Sequence, residues 1–169
     1  MAEDSISNVR LLVADITDFP ALKAASAETA KITGENLDIL INNAAYIASS
    51  WKKVHEYTPE QFTTELTASI QANVIGVSHT INAFLPLLRK GSKVITLSTG
   101  IADMDLVNEF EIDMGVTYSI SKAATNMLIV KYNAALGKKE GILFFSIGRQ
   151  GAAERGGSGG VCQDGCGVS

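Results

Sequence analysis

Cysteine is almost absent from this chain, and the two it has, Cys162 and Cys166, lie near the C-terminal end. Their spacing would suit half a metal site, but no histidine or further cysteine stands nearby to complete it. An incidental pair of thiols is the simpler reading. Long apolar runs are absent as well, and no stretch reaches the roughly 20 residues that a membrane-spanning helix needs. The opening residues include Glu3 and Asp4, where a secretory signal would carry Lys or Arg and then an apolar stretch. A cytoplasmic location is the expectation. Positive charge is not in excess either. The net charge is -4, and the lysines and arginines are scattered, which leaves no basic surface for nucleic acid.

What is present reads as one soluble, globular α/β domain. The chain has 169 residues, 46% of them hydrophobic and 19% charged, enough to bury a real core. Residues 9–14 form an apolar, β-branched run ending at Asp15, read as a buried strand. Thr17 and Asp18 offer a helix cap, and residues 19–32 read as a helix with Pro20 in its first turn. Residues 37–41 read as a second strand, closed by Asn42, Asn43, Ala44 and Ala45. Thr58 and Gln61 have the spacing of a capping box, with Pro59 at the first helical position. The helix they open is expected to run towards Leu88 with a break. Residues 93–97 and 141–147 read as two more strands, and residues 117–136 as a long helix that Gly137 would cap.

Strands alternating with helices predict parallel βαβ units and an open, doubly wound sheet. Ligands bind such sheets beyond the carboxyl ends of the strands. Asp15, the Asn42 turn, Ser98 and Thr99 all fall at those ends, and the helix carrying Tyr118 comes after the next loop. Tyr118 and Lys122 are four apart, so one helix face carries both. A free phenol, with a pKa of about 10, is a poor acid or base at neutral pH. A fixed cation beside it favours phenolate and brings its proton into a useful range. A tyrosine lying against a solvated lysine on an amphipathic helix has the same spacing. From Gly148 the pattern stops, and residues 148–169, with eight of the fifteen glycines, read as a disordered tail outside a domain of residues 1–147.

In order and spacing, the residues Asp15, Asn42 to Ala45, Asn73, Ser98 with Thr99, and Tyr118 with Lys122 resemble the short-chain dehydrogenase/reductase family. That resemblance implies a Rossmann-like fold that binds NAD or NADP, and hydride transfer to a small-molecule carbonyl or from an alcohol. It makes Tyr118 the general acid/base, and Lys122 the group that lowers its pKa and holds the nicotinamide ribose. Thr99 takes the place of the substrate-orienting hydroxyl, with Ser98 beside it as the alternative. Asn73 matches the helix asparagine that holds a water in the proton relay. Asp15 and the backbone of Ile16 would meet the adenine, and Asn42, Asn43 and Ala44 would lie along the cofactor ribose. Ala45 stands where the family usually has glycine. Residues 101–116, with five acids, would wall the substrate mouth, although a solvated loop is the plainer reading of those acids. The two long helices would supply a homo-oligomer interface through Ala124, Leu128, Tyr132 and Ala135, for which core packing is an equal explanation.

The chain also departs from that family. The family's first β-α-β unit, with its Thr-Gly-x-x-x-Gly-x-Gly pyrophosphate turn, has no counterpart here, nor do its Pro-Gly motif and last strand after residue 147. The expectation is a partial Rossmann-like sheet, and a partial or inactive enzyme. A non-catalytic fragment acting by association with a family member, or a broken reading frame, are the alternatives.

Overall fold

The computed structural model describes residues 8–149. Three parallel strands form one sheet in the order β1 (Leu37–Asn42), β2 (Leu88–Thr99), β3 (Leu143–Arg149). Leu40 pairs with Val94 and Val94 with Phe144, so these three share one face, joined further along that face by Asn42, Thr96 and Ser146.

Helix α1 (Phe19–Thr33) starts where Asp18 accepts a hydrogen bond from the Ala21 amide, and ends at Gly34 in the left-handed region. Helix α2 (Pro59–Ile70) opens with the expected reciprocal capping box of Thr58 and Gln61. The expected break is a π-helical segment, Gln71–Gly76, which leads into α3 (Val77–Phe84). A short helix, α4 (Met104–Glu109), lies in the segment after β2 and is capped by Asp103. Helix α5 (Val116–Tyr132) continues through a second π-helical segment into the single turn α6 (Lys138–Glu140).

The core lies between the sheet and the helices. Leu40, Val94, Ile142 and Phe144 meet Val77 and Ile81 of α3 and Ile129 of α5. Tyr132 stacks on Phe144 and shares a hydrogen bond of 3.0 Å with Ser78. The opposite side of the two outer strands is different. Ile39, Ile41, Leu143 and Ile147 alternate with the core residues and are exposed. Among the described residues the sheet is therefore covered on one side only, whereas double winding puts helices on both.

Four expectations need correction. Residues 9–14 form no strand: Val9, Leu11 and Val13 are exposed, and none of the three strands pairs with them. An apolar run becomes a strand only where a neighbour accepts its backbone hydrogen bonds. Gly137 does not cap the long helix, because its φ is -56°; Gly141, with φ of 69°, ends it instead. The last strand consequently starts at Leu143 and runs through Gly148 to Arg149, past the expected boundary. The stripe on α5 is core in part, since Leu128 and Tyr132 pack inwards; the apolar residues it exposes are Ile120, Met127 and Val130. The remainder of the expected tail lies outside the described residues.

Candidate active site

Tyr118 and Lys122 occupy the first turns of α5, beside the carboxyl end of β2. Gly115 precedes the helix with φ of 68°, a conformation glycine adopts without strain. It is also closely covered. A Cβ added there would fall 2.5 Å from Cζ3 of Trp51, so the bare backbone lets the indole lie against the helix start. Trp51 then meets Tyr118 edge-on, with ring centroids 6.4 Å apart. The two loops that meet here are joined by a bridge between Lys53 and Met114 and by an ion pair of 2.7 Å between Lys53 and Asp113.

Lys122 is 2% exposed, although it carries a charge. Its ammonium donates to the Leu97 carbonyl at 2.6 Å and sits 5.8 Å from the centre of the Tyr118 ring. No carboxylate pairs with it among the described residues. Burial pushes the Lys122 pKa below 10.5 and the half-buried Tyr118 phenol above 10.0. The expected downward pull of the lysine on the phenol is therefore not the controlling effect in this arrangement. The cation is committed to a backbone carbonyl and lies against the ring, while desolvation acts on both groups.

Asn73 lies in the π-helical segment and is fully buried. Its side-chain oxygen accepts from the Tyr46 amide at 2.7 Å, and its amide group donates to the Tyr46 carbonyl at 2.9 Å and the Ser121 hydroxyl at 2.8 Å. Ser121 donates in turn to the Tyr118 carbonyl at 2.8 Å. The Thr125 hydroxyl lies 2.8 Å from the carbonyls of both Asn73 and Ser121. A polar seam thus ties the loop after β1, the α2–α3 bulge and α5 together. Both amide protons of Asn73 are used within the protein, which makes its side chain a brace. Ser121 and Thr125 do not stand out in the sequence, because a hydroxyl inside a helix carries no local signal of what it meets.

The remaining candidates separate into those at the edge and those turned inwards. Thr99 caps the 3₁₀ turn Gly100–Ala102, which packs against α5, and its hydroxyl accepts weakly from the Ile101 amide at 3.4 Å. The neighbouring Ser98 hydroxyl is buried without a partner among the described residues. Tyr118 and Thr99 make no hydrogen bond to each other. Asn42 is buried and donates to Thr96 across the sheet at 3.1 Å, so its side chain serves the interior. Asn43, Ala44 and Ala45 are exposed at the turn beyond it. Asp15 accepts from the amide and hydroxyl of Thr17 at 2.7 and 2.8 Å, and these bonds, the amide first, hold its carboxyl below 3.8. Ile16 covers Gly76, where an added Cβ would stand 3.0 Å from its side chain.

Known proteins share this sequence and this fold. A family model described as enoyl-(acyl carrier protein) reductase matches residues 1–152. The short-chain dehydrogenase/reductase AacuF of Aspergillus aculeatus is 48% identical over 148 residues, covering 85% of this chain and 56% of that protein. The short chain dehydrogenase virK of Hypocrea virens is 46% identical over 147 residues, with 83% and 54% covered. The chain spans about half the length of the curated relatives it matches. Among solved structures, a dehydrogenase/reductase from Sinorhizobium meliloti superposes with a TM-score of 0.63 at 27% identity, over 80% of this chain and 48% of that one. An NADPH-bound carbonyl reductase from chicken fatty liver shares the fold with a TM-score of 0.72 at 21% identity, over 84% and 55%. With its parallel sheet, its Tyr118 and Lys122 pair and these matches, the chain belongs to the short-chain dehydrogenase/reductase family.

Proposed function

We propose that this chain carries the proton-transfer half of an NAD- or NADP-dependent oxidoreductase that reduces a carbonyl or oxidises an alcohol. The observation that carries the reading is Lys122. A buried ammonium with no counter-ion is costly, and one of its three protons is given to the Leu97 carbonyl. Two protons remain for ligand hydroxyls at the sheet edge, next to a phenol that makes no hydrogen bond of its own among the described residues. This donor set fits the ribose and nicotinamide end of the cofactor. Asp15, exposed and bonded to Thr17 through one carboxylate oxygen, fits the amino group of adenine. The glycine-rich pyrophosphate turn is not among the 169 residues, so the contacts here serve the two ends of the dinucleotide.

When bound, the nicotinamide supplies a hydride to the carbonyl carbon in reduction, or accepts one from the alcohol carbon in oxidation. Tyr118 gives its proton to the carbonyl oxygen, or takes the alcohol proton in the reverse direction. A ligand diol bound to Lys122 fixes the ammonium in the cleft, where its charge offsets that of the developing phenolate. Thr99, with Ser98 as the alternative, orients the reacting oxygen. Asn73 positions Tyr118 through Ser121.

The test is oxidation of NADH or NADPH by the purified chain with a panel of ketones. Turnover is expected to fall by about 10²–10⁴ in Tyr118→Phe. Equal rates in the parent and Tyr118→Phe would remove the reading.

Ile120, Met127 and Val130 on the exposed side of α5 support a second role, association with a copy of this chain or a longer family member. Sedimentation should then show a dimer that Met127→Glu with Val130→Glu converts to monomer.

A further inference from the structure

The mouth beside Tyr118 has a character of its own. Trp51 is the sole tryptophan of the chain, and it is half exposed even though one edge is packed on Gly115. Exposed tryptophan is costly in water, and here it is held in place by a glycine that admits no side chain. Ile101 reaches the same spot, 3.3 Å from the added Cβ position, and Met114 stands next to Gly115 with its side chain exposed. The wall next to the reacting phenol is thus flat, aromatic and apolar.

The rim is acidic. Residues 103–113 contain Asp103, Asp105, Glu109, Glu111 and Asp113 and no Lys or Arg. Asp113 is neutralised by Lys53, and Asp103 is occupied in capping α4 through the amides of Asp105 and Leu106. Asp105, Glu109 and Glu111 have no cationic partner among the described residues. Negative charge in a segment whose two ends flank the site disfavours a phosphate- or carboxylate-bearing substrate.

We propose that Trp51 is the specificity wall of this site, and that it selects an uncharged, planar aromatic carbonyl compound over an aliphatic one or one carried on an anionic cofactor. This rests on the proposed function only in placing the reacting carbonyl at Tyr118. Stacking on the indole supplies the preference for a flat ring, and the free acids supply the discrimination against anions.

Equilibrium dialysis of the full chain, without nicotinamide cofactor, separates the two ideas. The probes are 2-acetonaphthone, 2-decanone and acetoacetyl-coenzyme A. The naphthyl ketone is expected to bind saturably, about tenfold tighter than 2-decanone, and to quench the single tryptophan in parallel. Trp51→Ala should erase that advantage, and Trp51→Phe should keep most of it. If Trp51→Ala fails to fold by circular dichroism, Trp51→Phe together with the quenching of the parent carries the test. Acetoacetyl-coenzyme A should bind more weakly than the naphthyl ketone, and the deficit should shrink in Asp105→Asn with Glu109→Gln and Glu111→Gln. Equal binding of the two ketones, no quenching, or tighter binding of the coenzyme A ester would overturn the proposal. Trp51-dependent binding by a parent chain whose turnover equals that of Tyr118→Phe would defeat the oxidoreductase reading alone.

Discussion

The two faces of the sheet are made from the same strands and differ sharply. Val94 is fully buried and Phe144 is 3% exposed on the helix-covered face; Ile41 is 58% exposed and Ile147 47% exposed on the other. Residue type does not explain this, since both faces carry large apolar side chains. A strand destined for double burial is apolar at every position, and it keeps that composition whether or not the second layer is within the described residues. The difference teaches that apolar content reports the environment a strand was selected for, while burial reports what is packed on it.

Substitutions sharpen this contrast, beginning with the largest. Phe144→Ala should cost about 3–5 kcal/mol, whereas Ile147→Ala on the open face should stay within about 0.5 kcal/mol. Urea melts monitored by circular dichroism check both, and a comparable cost at the two sites would mean that the open face is covered in solution. Next comes the seam that locks the helical layer. Asn73→Ala deprives the Tyr46 amide and carbonyl and the buried Ser121 hydroxyl of their partner and should cost about 1–3 kcal/mol. Hydrogen exchange at the Tyr46 amide should accelerate by more than it does at Val94.

The smallest effect is in pH dependence. Burial lowers the Lys122 pKa below 10.5, so between that lowered value and 10.5 the unfolded chain binds more protons than the folded one. The contribution of Lys122 to stability therefore rises with pH across that window. Tyr118 acts in the opposite sense: its pKa is raised above 10.0, and its contribution is complete below 10.0 and is lost as pH climbs through the raised value. Lys122→Met removes the first effect. The variant should be at least as stable as the parent at pH 7, and the gap should narrow towards pH 10.5. A gap that widens over that range would contradict the burial of an unpaired ammonium.

Local chemistry is readable in the sequence and distant pairing is not. The Thr58 and Gln61 box, the Asp18 cap and the i, i+4 spacing of Tyr118 and Lys122 are decided within one or two turns, and each is found where the residues indicate. Residues 9–14 look like a strand because they are apolar and branched, but a strand also needs a neighbour, and that lies elsewhere in a chain. Two glycines four apart, Gly137 and Gly141, both suit a helix end; the backbone selects the second, and φ is not encoded in residue type. The order of motifs points to the family, yet it does not reveal that Asn42 faces inwards to Thr96 or that Asn73 spends its amide on Tyr46. Trp51 carries no signal in the sequence for a related reason. It is 67 positions from Tyr118, and only the turn at Gly115 brings the rings together.

The widened turn at Gln71–Gly76 has a consequence for how this chain can change. A π segment amounts to one residue more than a regular helix would hold, so it fixes the rotational phase of α3 relative to α2. Removing one residue there would let the helix close up with normal geometry and keep Val77 and Ile81 in phase with the core, whereas adding one in regular helical geometry would swing them by about 100° around the axis. A one-residue insertion in this segment should therefore be tolerated less well than a one-residue deletion that spares Asn73.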